Sequence, residues 1–201
     1  MVAALYKGVE SITDVDTYWR LGEELAQRNA GRLYRYTRDL LTYLRDNEYY
    51  LMAITNGIGA IARPFAKTLG FDVVIANDEV VDPVRKQVVD WAITTEVRVK
   101  ANVLQDLITR QGLSTKDSFG VGDTFSDASM LELVDHPITF NPEQRLYDVA
   151  LNKGWPIVIE RKNVVYELGK EGPSHKLLTT ASLLKSAAQP QHGARLSHAK
   201  A

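Results

Sequence analysis

Hydrophobic residues in this chain recur at helical spacing in some segments and form short uninterrupted runs in others. Tyr18, Leu21 and Leu25 share one helical face, and the segment from Thr13 to Asp16 predicts a capping box that opens this helix. A second helix is predicted directly after it from five apolar positions at helical spacing, Leu33, Tyr36, Leu40, Leu41 and Leu44. The first two predicted elements are therefore amphipathic helices.

Beyond these helices, apolar runs without alternation predict strands that are covered on both faces. The predicted strands are Tyr49 to Ile54, Phe71 to Ala76, Ser118 to Val121, Pro137 to Phe140 and Pro156 to Ile159. Helical patterns lie between them, at Ile58 to Leu69, Val97 to Gln111, Ser126 to Val134 and Glu143 to Asn152, and Val80-Val81 with Val88-Val89 predicts a short antiparallel excursion. This alternation predicts an α/β fold with an open parallel sheet flanked by helices.

The composition changes towards the C-terminus. From Lys170 onward Gly, Pro, Ser, His, Gln and Ala predominate, which is typical of a flexible tail with at most one weak helix, from Leu177 to Ala187. We therefore expect an α/β core over residues 31–168 and a flexible tail over residues 169–201.

Composition and charge narrow the class of protein. Of the 201 residues 45% are hydrophobic, enough for one good-sized core, and 24 basic against 25 acidic residues give a net charge of -1. We therefore expect no nucleic-acid or membrane partner, and charge does not fix the oligomeric state. With no cysteine and four scattered histidines, a metal site would be built from oxygen ligands. The sequence shows neither a membrane span nor a signal peptide, so a cytoplasmic protein is expected.

Two predicted helix starts carry candidate phosphate ligands, because ligands of open parallel sheets bind beyond the carboxyl ends of the strands. Thr55-Asn56-Gly57 offers a hydroxyl and the backbone N–H groups of a helix start to a phosphate oxygen, although these residues also suit an ordinary turn. Lys100 lies near the start of its helix, where a cation opposes the helix dipole. A solvated surface lysine is the simpler interpretation of Lys100, and Arg98 is a competing candidate.

The segment Gly120 to Asp127 carries the third candidate group. Asp123 ends a predicted strand at the ligand-binding crevice, and Asp127 opens the next helix, four residues later. Two carboxylates placed in this way can bind a metal ion, or brace a lysine or a metal-bound water. The alternative is a helix start with ordinary acidic caps.

Together, the three segments resemble the second, third and fourth motifs of the haloacid dehalogenase superfamily, in its phosphoserine-phosphatase-like subfamily IB. The family's hydrophobic strand that ends in Ser or Thr corresponds to Leu51 to Thr55, its lysine before an amphipathic helix to Lys100, and its GDxxSD loop to Gly122 to Asp127. Lys100 follows Thr55 by 45 positions and precedes Asp123 by 23, close to the spacing of the subfamily. The likeness extends from about Leu5 to Val165.

The resemblance implies a Mg²⁺-dependent phosphomonoesterase that acts on a small phosphorylated metabolite through an aspartyl-phosphate intermediate. By this likeness Thr55, with Asn56 and Gly57, would bind the phosphoryl oxygens, and Lys100 would neutralise charge on the phosphate and the nucleophile. Asp123 and Asp127 would form the metal site, with Asp127 also supporting the lysine. Such a set suits phosphoryl transfer, which requires positioning and charge neutralisation above all.

One motif of the family has no counterpart in the sequence. The first motif, Asp-x-Asp-x-Thr/Val after a hydrophobic strand, supplies the nucleophile, and its only formal match is Asp14-Val15-Asp16. This segment follows no buried strand and is better explained by helix capping. Residues 1–30 resemble the end of the family's helical cap, so we expect an N-terminally truncated sequence whose core lacks its first, central strand. Either the flanking strands close up, or a partner supplies the missing strand.

Three functional classes follow from these observations. The favoured one is the phosphomonoesterase, with the isolated chain inactive because its nucleophile is missing. The second is a catalytically inactive relative that binds a phospho-ligand or a protein partner. The third takes Gly120 to Asp123 as a glycine-rich loop for a nucleotide or S-adenosylmethionine, and it is the weakest because the GxG loop of dinucleotide folds follows the first strand.

Overall fold

The chain is divided into two compact units in the computed structural model. The N-terminal unit spans Met1–Leu113 and the C-terminal unit spans Ser114–Ala201. The residues that the structure describes are 14–92, 99–161, 164–171 and 174–178. No helix within these ranges is both long and apolar enough to cross a membrane.

The N-terminal unit is a three-stranded sheet with helices. Its elements are α1 (Val15–Asn29), α2 (Arg35–Asp46), β1 (Met52–Ile58), α3 (Gly59–Thr68), β2 (Val73–Asp82), β3 (Gln87–Ala92) and α4 (Val99–Gln111). The strand order is β1-β2-β3, with β1 parallel to β2 and β2 antiparallel to β3. Val81 lies opposite Val88, which confirms the predicted antiparallel excursion.

The first helix differs from its prediction at its start and on its buried face. Asp14 is the N-cap of α1 and accepts a hydrogen bond from the Thr17 backbone N–H at 3.0 Å, whereas Thr13 lies outside the described residues. The helix buries Gly22 and Ala26, while Leu21 and Leu25 are each 44% exposed. The apolar pattern was misleading because the face of α1 that packs on α3 consists of small residues.

The close packing of α1 on α3 depends on Gly22. A Cβ atom at this position would lie 2.2 Å from the carbonyl oxygen of Ala60, too close for any side chain. Pro64 lies inside α3, four residues after Ala60, and has no N–H to donate to that carbonyl. Gly22 therefore lets α1 approach the first turn of α3, where the Ala60 carbonyl receives no hydrogen bond from residue 64 because that residue is proline.

The C-terminal unit is a mixed five-stranded sheet. Its elements are β4 (Phe119–Gly122), a 3₁₀ turn (Phe125–Asp127), α5 (Ala128–Leu131), β5 (His136–Phe140), α6 (Gln144–Lys153), β6 (Ile157–Arg161), β7 (Val164–Glu171) and β8 (Ser174–Leu178). The order is β4-β5-β6-β7-β8, with β4, β5 and β6 parallel and the last two strands antiparallel. Leu131 and Leu146 are fully buried in its core. The helix predicted from Ser126 to Val134 is shortened to the 3₁₀ turn and α5.

The prediction of a tail from residue 169 is wrong for its first part. β7 continues to Glu171 and pairs with β8, so that Gly169 lies opposite Lys176. The weak helix expected from Leu177 starts within β8, and residues 179–201 lie outside the described residues. Composition did not reveal this hairpin because pairing with β6, rather than local propensity, holds β7 in place.

The described strands form two separate sheets, in which β1 and β4 are terminal strands. That the core lacks its first strand, and that its flanking strands close up or receive a strand from a partner, stays a prediction. That residues 1–30 are the remnant of a helical cap stays a prediction.

Candidate functional site

The turn Thr55-Asn56-Gly57 lies within β1 instead of closing it. Regular pairing with β2 ends at Ile54, and the register shifts before Ile58 pairs with Asn77. Thr55 Oγ1 accepts a hydrogen bond from the Gly57 backbone N–H at 3.0 Å, and Asn77 Nδ2 donates to the Asn56 carbonyl at 2.8 Å. These three residues thus form an irregular part of β1 shortly before α3. The Gly57 backbone N–H orients the Thr55 hydroxyl.

Lys100 is the second residue of α4 and is only 6% exposed. A lysine is almost never buried without a compensating interaction, and a cation in the first turn of a helix opposes the helix dipole. The burial argues against the interpretation of Lys100 as a solvated surface residue. The competing Arg98 lies outside the described residues.

The acidic loop, Gly122 to Asp127, is organised by the Asp127 side chain. Asp127 Oδ2 accepts hydrogen bonds from the backbone N–H groups of Asp123 at 3.1 Å and Thr124 at 2.9 Å, and from the Thr124 hydroxyl at 3.0 Å. Asp127 is 4% exposed, whereas Asp123 is exposed beyond the carboxyl end of β4. Asp127 therefore shapes the loop from a buried position, and Asp123 is an exposed residue of the same loop.

The two glycines before Asp123 are required by packing. A Cβ atom at Gly122 would lie 2.4 Å from Cβ of Asp127, and one at Gly120 would lie 2.9 Å from Cγ2 of Val134. Steric contact with Asp127 in the 3₁₀ turn and with Val134 after α5 thus accounts for both glycines without any bound ligand. The interpretation of Gly120 to Asp123 as a nucleotide-binding loop loses its main support.

Glu143 contacts the acidic loop from outside, and the sequence analysis did not single it out. Its backbone N–H donates to the Asp123 carbonyl at 2.8 Å, and its Oε1 accepts from the Phe125 N–H at 2.7 Å. Glu143 follows Phe125 by 18 positions. A pattern within one element cannot reveal such a contact, because it arises only when β4 and β5 pair.

Asp14 and Asp16, the only formal match to the family's first motif, belong to a helix start. The hydrogen bond from the Thr17 N–H lowers the pKa of Asp14 below its ordinary value, and Asp16 lies in the first turn of α1. The prediction that helix capping explains these carboxylates is confirmed for Asp14, the N-cap of α1.

The candidate residues fall into two groups, Thr55-Asn56-Gly57 and Lys100 in the N-terminal unit and Asp123 with Asp127 in the C-terminal unit. No cluster of three or more His, Cys, Asp or Glu side chains suited to a metal ion occurs among the residues placed by the structure. The two carboxylates of the acidic loop are hard oxygen donors, the kind that Mg²⁺ prefers, and they fit part of such a site. Their role as metal ligands stays a prediction.

The chain is an α/β protein, because helices join its parallel strands. Proteins with open parallel sheets bind ligands beyond the carboxyl ends of the strands, and the exposed residue Asp123 lies beyond the end of β4. Residues 1–132 match the family of haloacid dehalogenase-like hydrolases, and the chain belongs to this family. The resemblance drawn from the three sequence motifs is thereby confirmed.

Curated relatives match parts of the chain. It is 31% identical over 104 residues to the "Inhibition of morphological differentiation protein" of Streptomyces azureus. This match covers 49% of this chain and 35% of that protein. It is 36% identical over 58 residues to phosphoserine phosphatase SerB1 of Mycobacterium tuberculosis, and this match covers 29% of this chain and 19% of that protein. The matches thus span about a third or less of these relatives.

Solved structures share the fold at low sequence identity. A protein of unknown function from Bordetella pertussis Tohama I aligns with a TM-score of 0.63 at 22% identity, covering 76% of this chain and 70% of that one. A phospho-aspartyl intermediate analogue of phosphoserine phosphatase aligns with a TM-score of 0.55 at 20% identity, covering 68% and 64%. These likenesses confirm the predicted α/β fold with parallel strands flanked by helices.

Proposed function

We propose that this chain carries the phosphate-binding and metal-binding residues of a Mg²⁺-dependent phosphomonoester hydrolase that acts on a small phosphorylated metabolite. The observation that carries the proposal is the acidic loop, in which Asp127 is buried as an internal cap while Asp123 is left exposed at a strand end. Membership of a hydrolase family supports the reaction class.

The residues of the N-terminal unit suit the binding of an anionic group. The Thr55 hydroxyl accepts a hydrogen bond from the Gly57 N–H, and a hydroxyl that accepts can also donate, here to a phosphoryl oxygen. Lys100 supplies a positive charge in a poorly hydrated position, where it acts more strongly on a phosphate than it would in water. In the C-terminal unit, Asp123 with Asp127 would hold Mg²⁺, which would supply the positive charge that phosphoryl transfer requires.

The aspartyl-phosphate intermediate requires a nucleophilic aspartate. Asp14 caps α1 through its hydrogen bond to Thr17, which suits a structural carboxylate rather than a nucleophile. We infer that the nucleophile is absent from this chain and that the isolated chain is inactive. The same observation favours a second candidate function, a catalytically inactive relative that binds a phospho-ligand or a protein partner.

Activity and binding assays on the purified chain test both statements. We expect no turnover of p-nitrophenyl phosphate with Mg²⁺, and turnover that Asp123→Asn abolishes would show that the chain has its own nucleophile. We expect inorganic phosphate to bind in isothermal titration calorimetry and Lys100→Gln to weaken this binding. Lys67→Gln, at an exposed position of the same unit, is the matched control. If Lys100→Gln binds phosphate as well as the control does, the role of Lys100 is wrong.

The second candidate function is tested on the product of the full natural transcript. Binding of a phospho-ligand without turnover supports the inactive relative. Turnover supports the hydrolase.

A further inference from the structure

We infer that Glu143 is a positioning residue that fixes the acidic loop and thereby sets the affinity of Asp123 for a divalent cation. The inference rests on the proposed metal-binding role of Asp123. It concerns the C-terminal unit alone, since both residues lie there.

Two hydrogen bonds join Glu143 to the loop. Its backbone N–H donates to the Asp123 carbonyl at 2.8 Å, and its carboxylate Oε1 accepts from the Phe125 N–H at 2.7 Å. The two bonds hold the peptide groups on either side of Thr124 and therefore fix the backbone from which the Asp123 side chain projects.

The side chain of Glu143 bonds the acidic loop instead of capping its own helix. Glu143 is the N-cap of α6, yet it makes no side-chain hydrogen bond to its own helix. An N-cap side chain normally accepts from the second or third N–H of the helix that follows. Because the carboxylate instead accepts from Phe125, its contribution goes to the loop rather than to α6.

A second contact between α6 and the loop involves the Phe125 side chain. The Arg145 guanidinium lies 3.9 Å from the centroid of the Phe125 ring, a cation–π arrangement. Phe125 is thus held at its backbone N–H by Glu143 and at its ring by Arg145. The N-cap and the second residue of α6 thus contact Phe125, while Asp127 contacts the backbone of Asp123 and Thr124.

Asn141 anchors the chain to the sheet two residues before Glu143. Its φ of 45° is in the left-handed region, which Asn tolerates better than most residues, and it turns the chain at the end of β5. Its side chain replaces a strand residue in the ladder with β6, because Oδ1 accepts from the Glu160 N–H at 2.9 Å and Nδ2 donates to the Glu160 carbonyl at 3.3 Å. Glu143 therefore starts from a backbone that is fixed to the sheet.

Two variants separate positioning from charge. Glu143→Gln keeps an acceptor oxygen for the Phe125 N–H but removes the charge, whereas Glu143→Ala removes both. Asp148→Ala is the matched control, because it removes a carboxylate from the same helix that contacts Gln144 and not the loop.

The experiment measures Mg²⁺ affinity by calorimetry and amide exchange at Phe125 by NMR, on the full chain. We expect Glu143→Ala to lower the affinity about tenfold, the lower end of the range for groups that orient a metal ligand. Exchange of the Phe125 amide should become about tenfold faster, as expected for loss of one hydrogen bond to a charged group. Glu143→Gln and Asp148→Ala should stay within about threefold of the wild type in both readouts.

Three results would overturn parts of this picture, and they are distinguishable. Equal effects of Glu143→Gln and Glu143→Ala on affinity would show that charge, not position, is responsible. Unchanged exchange of Phe125 in Glu143→Ala would show that Glu143 does not hold the loop. If the wild type binds no Mg²⁺, the metal role of Asp123 is wrong, while the exchange of Phe125 still decides whether Glu143 fixes the loop.

Discussion

The substitution Gly122→Ala tests whether Asp127 organises the acidic loop. The added methyl group would lie 2.4 Å from Cβ, 2.9 Å from Cγ and 3.1 Å from Oδ2 of Asp127. Cβ of Asp127 is attached directly to the backbone of the 3₁₀ turn, so no rotation of the side chain can move it away from the added methyl group. The loop must therefore shift, and Asp127 Oδ2 must move away from the N–H groups of Asp123 and Thr124.

The magnitude follows from two contributions. Forcing a methyl group into a filled site costs about 1 to 3 kcal/mol of unfolding free energy. Losing the capping hydrogen bonds of a buried carboxylate adds about 0.5 to 2 kcal/mol. We expect Gly122→Ala to lower the free energy of unfolding by about 1.5 to 5 kcal/mol, a large part of the roughly 5 to 15 kcal/mol that stabilises a domain.

Urea unfolding followed by circular dichroism measures this loss. Gly31→Ala is the control, because a Cβ atom at Gly31 meets nothing within 4 Å, and its effect should stay within about 1 kcal/mol. In an Asp127→Gly background, Gly122→Ala should cost at least about 1 kcal/mol less than in the wild type, because the side chain it strikes is gone. A loss below about 0.5 kcal/mol for the single substitution, the size of a surface change, would refute the reasoning.

Two further predictions concern each unit in turn. Asp14→Ala should lower the helical content at neutral pH, measured by circular dichroism, because it removes the N-cap of α1. The hydrogen bond from Thr17 stabilises the ionised carboxylate and thereby lowers the pKa of Asp14. This stabilisation is fully present above pH 3.8, the ordinary pKa of the group, and is lost as the pH falls through the lowered pKa. The helical contents of Asp14→Ala and the wild type should therefore converge in acid, and a difference that persists there contradicts the capping role of Asp14. Leu146→Ala, at a fully buried position, should cost about 2 to 5 kcal/mol in urea unfolding, whereas Leu21→Ala, at 44% exposure, should cost less than about 1 kcal/mol; equal losses would contradict the assigned core.

The sequence predicted those elements whose evidence is local. The apolar run from Pro137 to Phe140 lies within β5, and the helical spacing of Tyr36, Leu40 and Leu44 matches the buried face of α2. In these segments each side chain is buried by its own element's geometry, so the spacing carries the information. Thr55 and Asp123 were singled out as candidates for the same reason, because they stand next to such runs.

Other features depend on contacts between distant segments. Gly22 is required because Ala60, about forty residues away in the chain, leaves no room for a side chain at that position. Glu143 reaches Phe125 only after two strands have paired. Glycine and a surface glutamate carry no hydrophobic signal, so periodicity could not assign either of them a role.

The terminal position of β1 and β4 in their sheets bears on how the chain behaves when concentrated. A terminal strand with a long regular edge invites pairing with other copies and leads to aggregation. Here β1 pairs regularly at three consecutive positions, Met52 to Ile54, before its register shifts, and β4 has only four residues, two of them glycine. Irregularity in β1 and brevity in β4 thus shorten the regular edge that each strand offers to a copy of the chain, and the turn at Thr55 is the feature that interrupts β1.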